Sequence, residues 1–208
     1  MKTCFILAGG DFDGFYDQIN DDDLIIAADR GYEHAVATNI RPDIIIGDFD
    51  STNNPELSNV IKLNPIKDFT DTKAAIMQAV DRGYENIIIY GALGGRESHT
   101  IANIRACLEF KMQGVNIVLK SKYKEIFVVD QEYSYEFDDQ KDFYVSIFAL
   151  SDIARGIKIS GLYYELDNFD MDISNSLGVS NETCGNDFTI SVKEGYLLII
   201  IEKKEMED

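Results

Sequence analysis

The chain has 208 residues, 45% of them hydrophobic, and carries 37 acidic against 19 basic side chains for a net charge of -18. That is enough apolar material for a sizeable core, in one domain or two small ones. The charge repels phosphate backbones and anionic bilayers, so nucleic acid and membrane surfaces are poor partners. A phosphate-bearing small ligand stays open, because a metal ion, a few local Arg or Lys residues and backbone amides can supply a positive field.

The opening "MKTCFILAGG" has a lysine and an apolar run, but the run is about half the length of a signal-peptide core before glycines and aspartates interrupt it. The late "YLLIII" is far too short to span a bilayer, and the expected location is the cytoplasm. Apolar runs at "CFILA", "LIIAA", "DIII", "VIKL", "NIIIY" and "VNIVL" read as strands. Helical patterns fall near 31–38, 71–82 and 98–112, the last two stopped by Gly83 and Gly114. Strands without polar alternation, interleaved with helices, predict an α/β domain with a mainly parallel sheet covered on both faces. After about residue 122 the pattern changes to "EIFVVD", "YSYEFD", "FYVSIFAL", "IKISGL", "YYELDNFDMDI", "DFTISV" and "YLLIIIEK", with turn residues between and no helical stretch. Short runs at this spacing predict an all-β, antiparallel sandwich or barrel. The expected division is 1–125 and 126–208. Cys4, Cys107 and Cys184, odd in number and far apart, read as reduced core thiols.

The polar clusters of the first half follow its strands, where an open parallel sheet binds ligands. "ADRG" follows "LIIA", "GDFDS" follows "DIII", and "GALGGR" follows "NIIIY". "KDFTD" follows "VIKL" and opens a helix that Thr70 or Asp71 can cap. In "PDIIIGDFDST", Asp48 and Asp50 share a face of an extended chain, with Phe49 pointing the other way. Such a pair fits a divalent cation with oxygen ligands, and equally a tight turn with both carboxylates solvated. Asp29, Asp48, Asp50, Asp68 and Asp71 are expected to gather on one edge with Arg30, Lys67 and Arg96, which favours the metal-nucleotide reading. No G-x-x-x-x-G-K-[ST] is present, so this is not a Walker-type phosphate loop. His99 opens a helix and suits a structural hydrogen bond as well as catalysis; His34 is assigned no role.

Taken together, "AADRG", "PDIIIGDFDS", "KDFTDTKAAI", "GALGGRESHTIANI" and "LGVSNE" resemble the motif series of the thiamine pyrophosphokinases, in order and over nearly the whole chain. The resemblance implies an N-terminal α/β catalytic domain, a C-terminal β-rich thiamine-binding domain, Mg2+ dependence, and a homodimer with shared active sites. It implies that the diphosphate of ATP passes to the hydroxyl of thiamine and that AMP is released. Carried over by position, Asp48, Asp50 and Asp71 match Mg2+-binding carboxylates. Asp29, Lys67, Asp68, Thr70 and Arg96 match positions near the nucleotide, with Arg96 assisting catalysis. Ser98, His99, Ser180 and Asn181 match thiamine-binding positions, and Glu182 has no assigned role. After "GGR" the family usually has an apolar residue, Asp and His, whereas this chain has Glu97, Ser98 and His99. Two rival readings remain: "DFDST" as the D-x-D-x-T of a haloacid-dehalogenase-like phosphatase, with Asp48 the nucleophile and Asp50 the acid, and a non-catalytic metal-nucleotide sensor.

Overall fold

The computed structural model describes residues 2–47, 60–62, 69–138 and 142–204. The chain divides into two compact units, Met1–Lys122 and Tyr123–Asp208.

The first unit holds β1 (Cys4–Leu7), β2 (Leu24–Ala28), α1 (Gly31–Ala37), β3 (Ile44–Gly47), β4 (Val60–Lys62), α2 (Asp71–Asp81), β5 (Asn86–Tyr90), α3 (Glu97–Lys111) and β6 (Asn116–Lys120). Its strands run in the order β6-β5-β1-β2-β3-β4, and every pairing between them is parallel. The predicted parallel sheet is present, and its central strands are buried without alternation because helices cover them. Helix α1 packs on β1 and β2, α2 on β1 to β3, and α3 on β6 and α2.

Helix α2 starts where Thr70, in extended conformation, accepts a hydrogen bond from the Lys73 amide at 3.2 Å, so Thr70 rather than Asp71 is the cap. It buries Ala74, Ala75, Ile76 and Ala79. In α3 the buried residues are Asn103, Ala106, Cys107 and Phe110, an i, i+3, i+4, i+7 stripe. The connection from β1 to β2, residues 8–23, has no helix. Phe12 and Phe15 pin it to a core of Phe5, Leu7, Ala35 and Tyr90. Burying an aromatic or aliphatic side chain of this size stabilises by roughly 1.5–3 kcal/mol. Asp17 fastens the same connection, accepting from the Tyr90 hydroxyl at 2.6 Å and pairing with Lys120 Nζ at 2.7 Å.

The second unit holds β7 (Lys124–Val129), β8 (Glu132–Tyr135), β9 (Phe143–Ala149), β10 (Ile153–Ser160), β11 (Leu166–Asp172), β12 (Asn181–Glu182), β13 (Phe188–Ser191) and β14 (Leu197–Lys203). The runs β12-β9-β14-β7 and β11-β10-β13-β8 are antiparallel throughout, as expected of a sandwich. Phe143 of β9 meets Tyr135 of β8 edge to face at 5.7 Å, joining the two layers. All seven predicted runs are strands. The two-residue β12 was not foreseen, since two residues carry no periodicity.

Cys4 and Cys107 are buried, and burial pushes both thiols up to about 12, so they are neutral core groups. Cys184 departs from the core expectation: it is exposed, in a turn where its thiol donates to the Gly161 carbonyl at 3.2 Å. Among the described residues no helix is long and apolar enough to cross a membrane.

Candidate active site

In the first unit, the turns after β1, β2 and β5 and the N-terminal parts of α2 and α3 enclose one cavity of about 450 Å³. The strand order explains the convergence. β1 lies between β5 and β2, so their carboxyl ends are neighbours although far apart in sequence. The turns are laced together by backbone bonds: Ala8 N–H to Tyr90 O at 2.8 Å, Gly10 N–H to Gly91 O at 2.7 Å and Asp11 N–H to Leu93 O at 3.0 Å. Only glycine fits at position 91, where φ is +67° and a Cβ would stand 2.3 Å from the Ala8 carbonyl oxygen. Gly31, at the start of α1, is as constrained, since a Cβ there would lie 1.8 Å from Leu7 O.

Asp29 lines the cavity in the left-handed region, φ 52°, with its amide donating to Ile46 O at 2.7 Å. A non-glycine residue held there costs on the order of 1–3 kcal/mol, which marks the position as one set by its surroundings. A side chain at Gly9 would begin 3.1 Å from Arg30 Cβ, a tight contact, and 3.5 Å from Asp29 Oδ2, an ordinary one. The bond to Ile46 also ties Asp29 to the end of β3, whose last residue is Gly47. Thr70 and Asp71 enter from the start of α2, where the helix dipole favours negative charge. Arg96, the residue preceding α3, and His99, in its first turn, complete the polar lining.

Of the expected gathering, Asp29, Arg30, Asp71 and Arg96 line this one cavity, and Thr70 and His99 line it with them. Ser98 is exposed on the first turn of α3 and is not among the lining residues. Asp48, Asp50, Lys67 and Asp68 lie outside the described residues. Ser180 and Asn181 belong to the second unit. There Ser180 has φ 55° and its amide donates to Ser146 Oγ at 2.9 Å. Asn181 is buried, and Glu182 pairs with Lys204 at 2.7 Å. Lys204 also meets Asp142 at 2.9 Å, and the hydrogen bond to Glu182 is the main reason its ammonium titrates above its ordinary value.

The sequence reading missed Asn103 and His34. Asn103 donates from Nδ2 to Ala92 O at 2.8 Å and so holds the turn after β5; one asparagine in an apolar helix stripe was the available signal. His34 Nε2 lies 3.2 Å from Gly10 O, to which it donates, and the ring stacks on Phe12 at 4.6 Å. Nothing in the periodicity of α1 singles it out.

Two carboxylates among glycine turns offer hard oxygen donors, the chemistry that Mg2+ takes. Among the described residues no group of three or more His, Cys, Asp or Glu is placed to hold a metal. Asp71, with Asp29 in the same cavity, is a carboxylate of the type such a cation takes, and Asp48 and Asp50 follow directly after β3 in sequence.

A parallel sheet with a glycine-lined, carboxylate-bearing cavity at its carboxyl edge, in a chain with a second, antiparallel β unit, is the architecture of a two-domain α/β protein with a small-molecule site. Residues 15–119 match the model of the thiamin pyrophosphokinase catalytic domain, and residues 133–197 that of the thiamin pyrophosphokinase vitamin B1 binding domain. The chain is 30% identical to the thiamine pyrophosphokinase of Bacillus subtilis (strain 168) over 214 residues, 96% of this chain and 98% of that protein. The crystal structure of thiamine pyrophosphokinase from Bacillus subtilis superposes with a TM-score of 0.87 at 28% identity, covering 98% of this chain and 100% of that one. That of thiamin pyrophosphokinase from Geobacillus thermodenitrificans gives 0.83 at 26% identity, with 99% of each chain covered. The chain belongs to the thiamin pyrophosphokinase family. It is an enzyme, a transferase of the kinase type that makes thiamine diphosphate from thiamine.

Proposed function

We propose that the diphosphate donor is ATP, that AMP is the second product, and that Mg2+ is held by Asp48, Asp50 and Asp71. One observation supports this above the others: a single cavity of about 450 Å³ gathers Asp29, Thr70, Asp71, Arg96 and His99 with glycine turns. That volume suits a small-molecule site, which typically measures roughly 300–1,000 Å³.

In the proposed reaction the thiamine hydroxyl oxygen bonds to the β-phosphorus, and the bond from that phosphorus to the oxygen bridging to the α-phosphate breaks. AMP leaves with the electron pair, and the hydroxyl proton passes late to Asp71 or a neighbouring carboxylate. A bound Mg2+ would neutralise charge on the phosphate oxygens. The chain's own part is positioning and charge: Arg96 and Lys67 are assigned to the charge of the transferring group, and Asp29, Asp68 and Thr70 to the nucleotide. Ser98, His99, Ser180 and Asn181 serve thiamine. The enzyme acts in the cytoplasm as a homodimer with shared active sites.

The test is direct. Protein, Mg2+, ATP and thiamine are incubated together, and AMP should appear in step with thiamine diphosphate. Phosphate release with a trapped phosphoaspartate at Asp48 would replace the proposal with the phosphatase reading. Binding of both substrates with no AMP formed would leave a sensor.

A further inference from the structure

We infer that Asn181 is a positioning residue, which shapes the thiamine segment through main-chain bonds and does not touch the substrate. The inference deepens the proposed function and rests on it for the identity of the ligand.

Asn181 is 6% exposed. Its Oδ1 accepts from the Tyr164 amide at 2.9 Å and from the Glu182 amide at 2.9 Å, and its Nδ2 donates to the Tyr164 carbonyl at 2.6 Å. An amide oxygen offers two acceptor sites and an amide nitrogen two protons. The chain itself therefore consumes both acceptor sites and one of the two donors. A side chain so committed has little left with which to recognise a ligand.

The clamp instead fixes the turn after β10. Tyr163 N–H donates to Glu182 O at 2.9 Å, and Leu162 forms a bridge with Thr183, so this turn is laced along β12. Tyr163 and Tyr164 stand out from it, 68% and 65% exposed, edge to face with ring centres 4.9 Å apart. Rings so exposed take their direction from the backbone that carries them, and Asn181 holds that backbone. On the other side Ser180, in the left-handed region, is tied to Ser146. A left-handed residue followed by a buried amide side chain forms a stiff corner.

Substitution by aspartate separates the two roles by sign. In Asn181→Asp a carboxylate keeps both acceptor bonds but sets an oxygen against the Tyr164 carbonyl, where Nδ2 had donated at 2.6 Å. If Asn181 only positions, the turn is lost and thiamine binds more weakly. If it touches the cationic substrate, the added charge tightens binding. Thiamine titration by calorimetry on the full chain, with amide exchange read at Tyr164 and Glu182, makes the measurement. Asn181→Asp and Asn181→Ala should each weaken thiamine binding about tenfold, and the Tyr164 amide should exchange about tenfold faster. Circular dichroism establishes that each variant is folded, and Asn181→Ala, which buries no charge, carries the exchange measurement should the buried carboxylate of Asn181→Asp unfold the chain. Wild-type-like or tighter binding by Asn181→Asp, or unchanged exchange at Tyr164, would overturn the inference alone. A wild-type protein with no affinity for thiamine would overturn the functional reading, and this inference with it.

Discussion

Replacing Gly91 with alanine should destabilise the first unit by far more than an ordinary glycine-to-alanine change. The residue has φ +67°, and an L side chain in that region costs roughly 1–2 kcal/mol. The new Cβ would lie 2.3 Å from the Ala8 carbonyl oxygen and 3.1 Å from its carbon. Relief requires the ends of β1 and β5 to part, which strains the bonds from Ala8 N–H to Tyr90 O and from Gly10 N–H to Gly91 O. At about 0.5–1.5 kcal/mol for each bond, the total is about 2–5 kcal/mol. Gly114 is the control: φ is +85° there, but nothing lies within 4 Å of an added Cβ, so Gly114→Ala should show the conformational part alone. Urea unfolding followed by helical circular dichroism reports on the first unit, because α1 to α3 all lie in it. The two variants should differ by about 1–3 kcal/mol. Equal losses would refute the close approach of β1 and β5 as the reason for glycine at 91.

Asp48→Asn, Asp50→Asn and Asp71→Asn should each lower turnover by on the order of a hundredfold or more, and near-normal rates for all three at saturating Mg2+ would remove the metal assignment. Ser98→Asp should tighten thiamine binding, since an added carboxylate on this exposed helix start attracts a cationic substrate; weaker binding in a titration would show that Ser98 suits another geometry. The Thr183 hydroxyl holds the Asp142 carboxyl below its ordinary range against the opposing effect of burial, with Lys204 adding to the lowering. A lowered folded pKa contributes stability that is present above the unfolded value and lost as pH falls through the folded one. Thr183→Val should therefore be less stable than wild type at neutral pH, with a gap that narrows on acidification below about pH 4 to the part left by the lost bond from the Phe143 amide to Thr183 Oγ1 at 3.0 Å; a gap independent of pH would deny the carboxylate's part.

Local pattern was enough for much of the molecule. Unbroken apolar strands such as "CFIL" and "IIIG" specify burial on both faces, and the stripe through Ala106, Cys107 and Phe110 specifies a helix against a sheet, because both follow from the repeat of the backbone itself. The position of each polar motif after a strand was also legible, and with it the cavity residues Asp29, Thr70, Asp71, Arg96 and His99. Pairings across the chain were not. That His34 donates to Gly10, that Asn103 holds Ala92, and that Asn181 binds the main chain of Tyr164 are decided by where separate segments come to rest. A side chain's type states which bonds it can make; only the packed fold, by burying it beside a particular carbonyl or amide, decides which of them it makes and whether any remain for a ligand.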